Sequence, residues 1–349
     1  MACRAVMAVA LALILSSCAG KEVKTPPPYD ATLAVAAMQA SDYAEAVHLW
    51  TNVLALDTLT SEQRADAYHS RGVSHMRLHE ITLAFADAQD GIAIKPDSVA
   101  LLMLRGLLYL DTHDPANARG DFNAVLKIKP EDATAHAGLA DADREQGQFD
   151  SAITEMAAAI AAKPYEAGFY VERGRIYLLA GKRDAAIADF DEAVHRAPSS
   201  YEPYKLRGIA LYESGRLPAA LTDLQKSLTL KADQPYALIW LHMTNLRMKN
   251  PDQASFSSSL AGLNEKKWPL PIIEFFQGKL TPDQVAALAV SDNPDNERGR
   301  ACEAAFYTAQ VPVTGRNGND VKRLLQLASR TCPVDFVELQ LAKMELDAL

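Results

Sequence analysis

The chain runs to 349 residues, enough for two modest domains or one long array. Its net charge of −9 repels phosphate backbones and anionic lipid, which excludes nucleic-acid binding and leaves membrane attachment to a hydrophobic or covalent device. Hydrophobic residues make up 49% but aromatics only 7%, and with abundant alanine this balance favours closely packed helices over a β-sandwich.

The N-terminus supplies a covalent device. A short segment with one positive charge, Met1–Arg4, precedes an apolar run of 11 residues, Ala5–Leu15. The run is too short to span a bilayer but has the length of a signal-peptide core. Leu15-Ser16-Ser17-Cys18 follows and resembles the lipobox of bacterial lipoproteins. That resemblance implies a signal peptide over 1–17 that is removed, and lipidation of Cys18. An ordinary signal peptide with an incidental cysteine is the alternative. Ala19 resembles the outer-membrane sorting state, so the expected location is the outer membrane of a Gram-negative bacterium, lipid-anchored and facing the periplasm. Residues 18–30, with Pro26-Pro27-Pro28, read as an extended tether.

Periodicity decides the body of the chain. Gly72 and Gly106 lie 34 residues apart, as do Gly174 and Gly208, and Ala140 holds the intervening slot. Arg71, Arg105, Arg173 and Arg207 precede the glycines. Ala84, Ala118, Ala152, Ala186 and Ala220 follow at 12 residues, and Phe122, Met156, Phe190 and Leu224 four further on, where the first unit has Ala88. Pro96, Pro130, Pro164 and Pro198 close four units. Small residues at fixed register let two antiparallel helices cross closely, a large apolar residue fills the wedge, and proline stops the second helix. The pattern resembles the tetratricopeptide repeat. It predicts an all-α protein, a right-handed superhelix of antiparallel helix pairs with a C-terminal helical extension. Five units are expected at 65–98, 99–132, 133–166, 167–200 and 201–234. A degenerate pair over 31–60 precedes them, with Thr32–Gln39 as one helix, Tyr43 opening the other and an insertion at Leu56–Ser61.

Beyond residue 234 the register blurs while the helical signal persists through 235–349. Asn250-Pro251-Asp252-Gln253 and Thr281-Pro282-Asp283-Gln284 read as helix starts. Phe306–Ala309 and Leu324–Ala328 sketch a further helix pair around a turn at Gly315–Asn319, and Phe336–Leu349 reads as a capping helix. Cys302 and Cys332 form an even pair in an oxidising compartment, which points to a disulfide; two buried free thiols are the alternative.

No catalytic signature is visible, and no cofactor or metal is expected. His75 and His79 share one predicted helix but have no third ligand nearby in sequence. An enzyme concealed in 250–349 would need converging polar residues, and none stand out. Protein binding remains. In a tetratricopeptide superhelix the first helices line the inner face, at positions three before, one after and four after each glycine. These are His69, Val73 and Met76; Met103, Leu107 and Leu110; Ala137, Asp141 and Arg144; Val171, Arg175 and Leu178; Lys205, Ile209 and Tyr212. The early positions are apolar and methionine-containing, suited to a peptide or a partner helix; coverage by the chain's own N-terminal helix or by a second copy is the alternative.

Nearly the whole chain resembles the NlpI family of outer-membrane lipoproteins. The resemblance rests on the lipobox, the short tether, Glu62-Gln63-Arg64-Ala65 leading to Tyr68 and Arg71-Gly72, Trp268–Gly278, Cys302–Tyr307 and Phe336-Val337-Glu338. The extra repeats and the late cysteines depart from that family. The resemblance implies a homodimeric adaptor that docks a periplasmic processing protease and brings peptidoglycan hydrolases to it. A structural lipoprotein of outer-membrane assembly, serving barrel insertion or pilus and secretin biogenesis, is the alternative.

Overall fold

The computed structural model describes residues 31–249, 256, 260, 263, 267–291, 293–311, 318–334 and 336–349. Among them are 18 helices and no strand. The signal segment, Cys18 and the tether lie outside the described residues, as do the predicted start at Asn250–Gln253 and most of the Gly315–Asn319 turn. The chain divides into two compact units, 1–164 and 165–349.

The described part of the first unit holds four helix pairs: α1 (Ala31–Gln39) with α2 (Tyr43–Leu54), α3 (Ser61–Arg77) with α4 (Ile81–Ile94), α5 (Val99–Asp111) with α6 (Pro115–Ile128), and α7 (Ala133–Glu145) with α8 (Phe149–Ala162). Each helix packs on the next, and α3, α5 and α7 also touch in succession. Helix α3 begins earlier than periodicity suggests, because Thr60 and Gln63 form a capping box. The Arg64 guanidinium then closes the preceding loop by donating to the carbonyls of Leu54 and Leu56, each at 2.9 Å.

The second unit opens with two more pairs, α9 (Ala167–Leu179) with α10 (Arg183–Arg196) and α11 (Tyr201–Glu213) with α12 (Leu217–Leu230). Then come α13 (Pro235–Arg247), α14 (Leu270–Phe276), α15 (Pro282–Leu288), α16 (Pro294–Ala309), α17 (Gly318–Thr331) and α18 (Val337–Asp347). Helix α15 starts on a Thr281–Gln284 capping box. Gly318 and Asn319 belong to α17 rather than to the turn before it. Register persists one helix past residue 234: α13 repeats α11 at a spacing of 34 and places His242 in the glycine slot. A ring there forbids the close crossing, and His242 packs instead on Phe256 and Phe276, with centroids at 4.3 and 4.7 Å.

The small residues do sit at helix crossings. A Cβ on Gly174 would fall 2.5 Å from the Phe190 ring, and one on Gly208 2.8 Å from Leu224. In the first repeat Ala88 is too small to fill the wedge, and Leu104 of α5 reaches across to within 2.8 Å of the same point on Gly72. Seven residues after each slot the turn between helices takes a left-handed backbone, at His79, His113, Gly147, Gly181 and Gly215. The second helices stop because the residue before each proline is driven out of helical geometry: Lys95, Lys129, Lys163 and Ala197 all have φ near −130°.

Each slot-adjacent arginine makes a forked ion pair with an aspartate 16 residues on. Arg105 Nε and Nη2 donate to the two oxygens of Asp121 at 2.8 and 2.7 Å, and Arg173 does the same with Asp189. Arg71 pairs with Asp87 and Arg207 with Asp223. The third repeat has Leu139 and Glu155 at these positions, and Glu155 pairs with His136 at 2.7 Å. In the second unit Cys302 and Cys332 are joined as a disulfide with a Cα separation of 4.7 Å, tying α16 to the end of α17. Closing a 30-residue loop limits the unfolded chain by about 3–4 kcal/mol on the entropic model.

Candidate binding surface

The first helices of successive pairs form the face on which the sequence places a partner. In the first unit these positions are packed rather than open. Val73 and Met76 lie in one cluster with Leu104 and Leu108. Met103, Leu107 and Leu110 lie in another with Phe122 and Leu139. His69 has a ring nitrogen, Nε2, buried without a hydrogen-bond partner, and burial pushes its pKa down to about 4, so the ring is neutral. On α7, Asp141 and Arg144 are both buried beside Ala137, and Arg144 Nε donates to Asp141 at 3.0 Å. The other Asp141 oxygen, Oδ2, is buried without a partner.

In the second unit Val171, Leu178, Ile209 and Tyr212 are buried in one large core together with Leu339, Leu341 and Ala342 of α18. The terminal helix therefore does more than cap the chain end. It packs on α9, the first helix of the fourth repeat, as well as on α16 and α17. Tyr212 lies edge-on to Trp240 at 5.3 Å and beneath the Arg247 guanidinium at 4.6 Å. Two cationic positions keep partial exposure. Arg175 pairs with Glu202 at 2.5 Å. Lys205 lies 6.0 Å from the Tyr201 ring, and burial, reinforced by the nearby Arg175 and Lys231 charges, pulls its pKa down to about 8.

A sequence profile of the tetratricopeptide repeat matches residues 32–99, 103–167 and 171–235, more than half of the chain. The chain belongs to the tetratricopeptide repeat family. Tetratricopeptide repeat structures share its fold: a protein from Parabacteroides merdae is 22% identical with a TM-score of 0.50, covering 61% of this chain and 82% of its own. The pilus biogenesis factor PilW is 22% identical with a TM-score of 0.54, over 57% of this chain and 91% of its own. PilF of Pseudomonas aeruginosa is 15% identical with a TM-score of 0.52, over 63% and 99%. Among curated proteins, sperm-associated antigen 1 of Rattus norvegicus is 28% identical over 109 residues, which is 31% of this chain but only 12% of that protein. A tetratricopeptide repeat array is a scaffold for protein–protein interaction, and that coarse role holds here.

One polar cluster in this tetratricopeptide repeat protein escaped sequence reading. The Glu303 carboxylate on α16 accepts from the Tyr236 hydroxyl at 2.9 Å and from Trp268 Nε1 at 2.5 Å. Tyr307, four residues along α16, donates to Glu338 of α18 at 2.6 Å. Burial, and then the Glu338 charge, push the Glu303 pKa well up. Glu213 on α11 is raised to about 7 by burial, against the pull of Arg183. The contributing residues are 31 to 67 positions apart in sequence, so no local motif announces them. His75 binds Glu80 at 2.6 Å, whereas His79 leaves the helix in a left-handed turn, so the two histidines do not share a helix face. Among the described residues no group of three or more His, Cys, Asp and Glu is placed to hold a metal.

Proposed function

We propose that this chain is a non-catalytic adaptor lipoprotein. Cys18 carries its lipid, the outer membrane holds it on the periplasmic side, and its repeats collect protein partners. Those partners are a periplasmic processing protease and peptidoglycan hydrolases, and the working form is a homodimer of the NlpI type. One observation gives this reading most of its support. The two late stretches that resemble the NlpI family, Trp268–Gly278 and Cys302–Tyr307, meet in the Trp268–Glu303 hydrogen bond. The two stretches thus belong to one packed element, as a shared family motif would. The mechanism is physical: a tether and a shared scaffold raise the local concentration of substrate at the protease without new contacts between them.

The test is affinity capture of the full lipidated chain from solubilised envelope, followed by mass spectrometry, in wild type and in Lys205→Glu. A protease and a cell-wall hydrolase, both depleted by the substitution, are expected. Recovery of barrel-assembly or secretin subunits instead would favour the assembly reading; PilW and PilF, below 25% identity, share the fold and lend that reading nothing further. A Cys18→Ser chain should take up no labelled palmitate and should leave the membrane fraction.

A further inference from the structure

One face of α17 is buried in the second unit, and the other stands free. Leu325 and Ala328 lie in the core, with Val321 and Leu324 packed against it. The Cys302–Cys332 bridge, and the bond from Arg298 Nε to the Thr331 carbonyl at 3.0 Å, fix the helix end to α16. The outward face carries Lys322, Arg323, Gln326, Leu327 and Arg330, all exposed. Among the described residues every arginine but two is engaged by an acid, a carbonyl or a ring. The two exceptions are Arg323 and Arg330, and Lys322 beside them is likewise without a partner among the described residues. Seven residues, or two helical turns, separate the arginines, so they stand on one side about 10 Å apart with Leu327 between them. Leu327 is 45% exposed, and Val334, just past the helix, 46%. The acid of α17 is Asp320, in the first turn, before the cationic stripe begins. Residues 31–164 carry a net charge of −9 and residues 165–349 a net −1, so the second unit does not carry the charge that turns anions away.

We propose that this face of α17 rests on an anionic phospholipid surface. Guanidinium forks match pairs of phosphate oxygens, and the aliphatic stems of the arginines lie alongside Leu327 toward the acyl boundary. A partner helix is the poorer match. It would need apolar anchors at i and i+7 as well as at i+4, and arginine holds both of those places. Each basic side chain near an anionic surface strengthens attachment about fivefold. Three of them are too few to recruit the chain alone but enough to orient one that a tether already confines. The inference rests on the membrane-anchored reading above.

The experiment couples the chain from residue 18, which includes every described residue, to vesicles through the Cys18 thiol and a maleimide lipid. Its other two cysteines are joined to each other, so the coupling is specific, and the tether is present whether or not a cell lipidates Cys18. Hydrogen exchange of residues 318–334 is compared on vesicles of phosphatidylcholine alone and of phosphatidylcholine with phosphatidylglycerol. Slower exchange on the anionic vesicles is expected, and raised salt should abolish the difference. Arg323→Gln and Arg330→Gln should each weaken the contact about fivefold. Arg216→Gln, an exposed arginine on another surface, should leave it unchanged. All three positions are exposed, so the fold is expected to survive, which thermal melts check. Equal exchange on the two vesicles, or protection that persists when both α17 arginines are replaced, would overturn the proposal. So would a protein partner held by these arginines with no difference between vesicles. A Cys18 that takes up no palmitate would remove the anchor and leave the vesicle result standing, so the two readings fail separately.

Discussion

The Phe122 ring lies against Gly138 so closely that a Cβ there would fall 2.5 Å from Cζ, while the same ring holds a point on Gly106 at 2.7 Å. One aromatic side chain, itself fully buried, thus wedges two successive inner helices, α5 and α7, apart from α6. The ring cannot retreat from one glycine without striking the other. Gly138→Ala should therefore destabilise the first unit, by up to about 2 kcal/mol, since overpacking of about 1–3 kcal/mol offsets or exceeds the roughly 1 kcal/mol that alanine gains in a helix. Gly120→Ala, in α6 with nothing within 4 Å of the added methyl, should stabilise by about 0.5–1 kcal/mol. Urea unfolding of both variants measures the contrast, and Phe122→Leu should rescue Gly138→Ala.

The turn after each first helix yields an opposite prediction. Gly147, Gly181 and Gly215 adopt φ near +70° without strain, but His79 and His113 hold φ of 60° and 55° with side chains that oppose it. The His113 side chain is 66% exposed, so little packing is lost on its removal. His113→Gly should raise stability by about 1 kcal/mol, and Gly181→Ala should lower it by a similar amount. Thermal melts of the two variants check both signs.

The forked ion pairs predict an asymmetry. Asp121 is more buried than Arg105, at 7% and 24% side-chain exposure. Removing the arginine strands a buried carboxylate, whereas removing the aspartate leaves a guanidinium that can reach water. Arg105→Leu should cost about 2–3 kcal/mol, more than Asp121→Leu, and the double replacement should recover most of the loss. The third repeat, with Leu139 in the arginine position, shows that the fold tolerates an apolar residue there. A double-mutant cycle by denaturant titration gives the coupling directly. If the arginine were the cheaper loss, burial would not be what sets the pair's energetics.

These examples mark how far sequence reading reached. The glycine slots were legible because a Cβ is forbidden there, and the alanines because the helix axes leave no room. The Arg–Asp forks were not, because an acid 15 residues after a glycine is lost among many surface acids. The left-handed turns were half hidden, because two of the five carry histidine where glycine would have flagged them. The register of α13 was masked by His242, a large residue in a small slot, relieved by rings at Phe256 and Phe276. The positions counted from each slot lie on the first helices of the pairs. Their burial was not legible in the second unit, because the helix that covers Tyr212 and Val171 returns from the far end of the chain. The Glu303 cluster failed for the same reason: its parts are local to nothing.

That cluster makes the second unit sensitive to pH, and the sign follows from its raised carboxyls. Glu213, at about 7, and Glu303, also raised, keep protons in the fold that an unfolded chain releases near pH 4.3. The folded state therefore binds more protons between these values, and stability falls as pH rises, by up to about 1.4 kcal/mol per pH unit for each such group. The groups facing Glu303 are Tyr236 on α13, Trp268, Tyr307 on its own helix and Glu338 on α18; Glu213 faces Arg183 and Glu338. The stabilisation is complete below about pH 4.3 and is lost through pH 7 and above. Of the three tryptophans only Trp50 lies in the first unit, so a Trp50→Phe background isolates the second unit by fluorescence. Its urea midpoint should drop between pH 5 and pH 8, and Glu303→Gln should flatten that slope while leaving the first unit unchanged. A midpoint that rises over this range would mean that Glu303 and Glu213 are ionised in the fold and satisfied by donors other than those seen here.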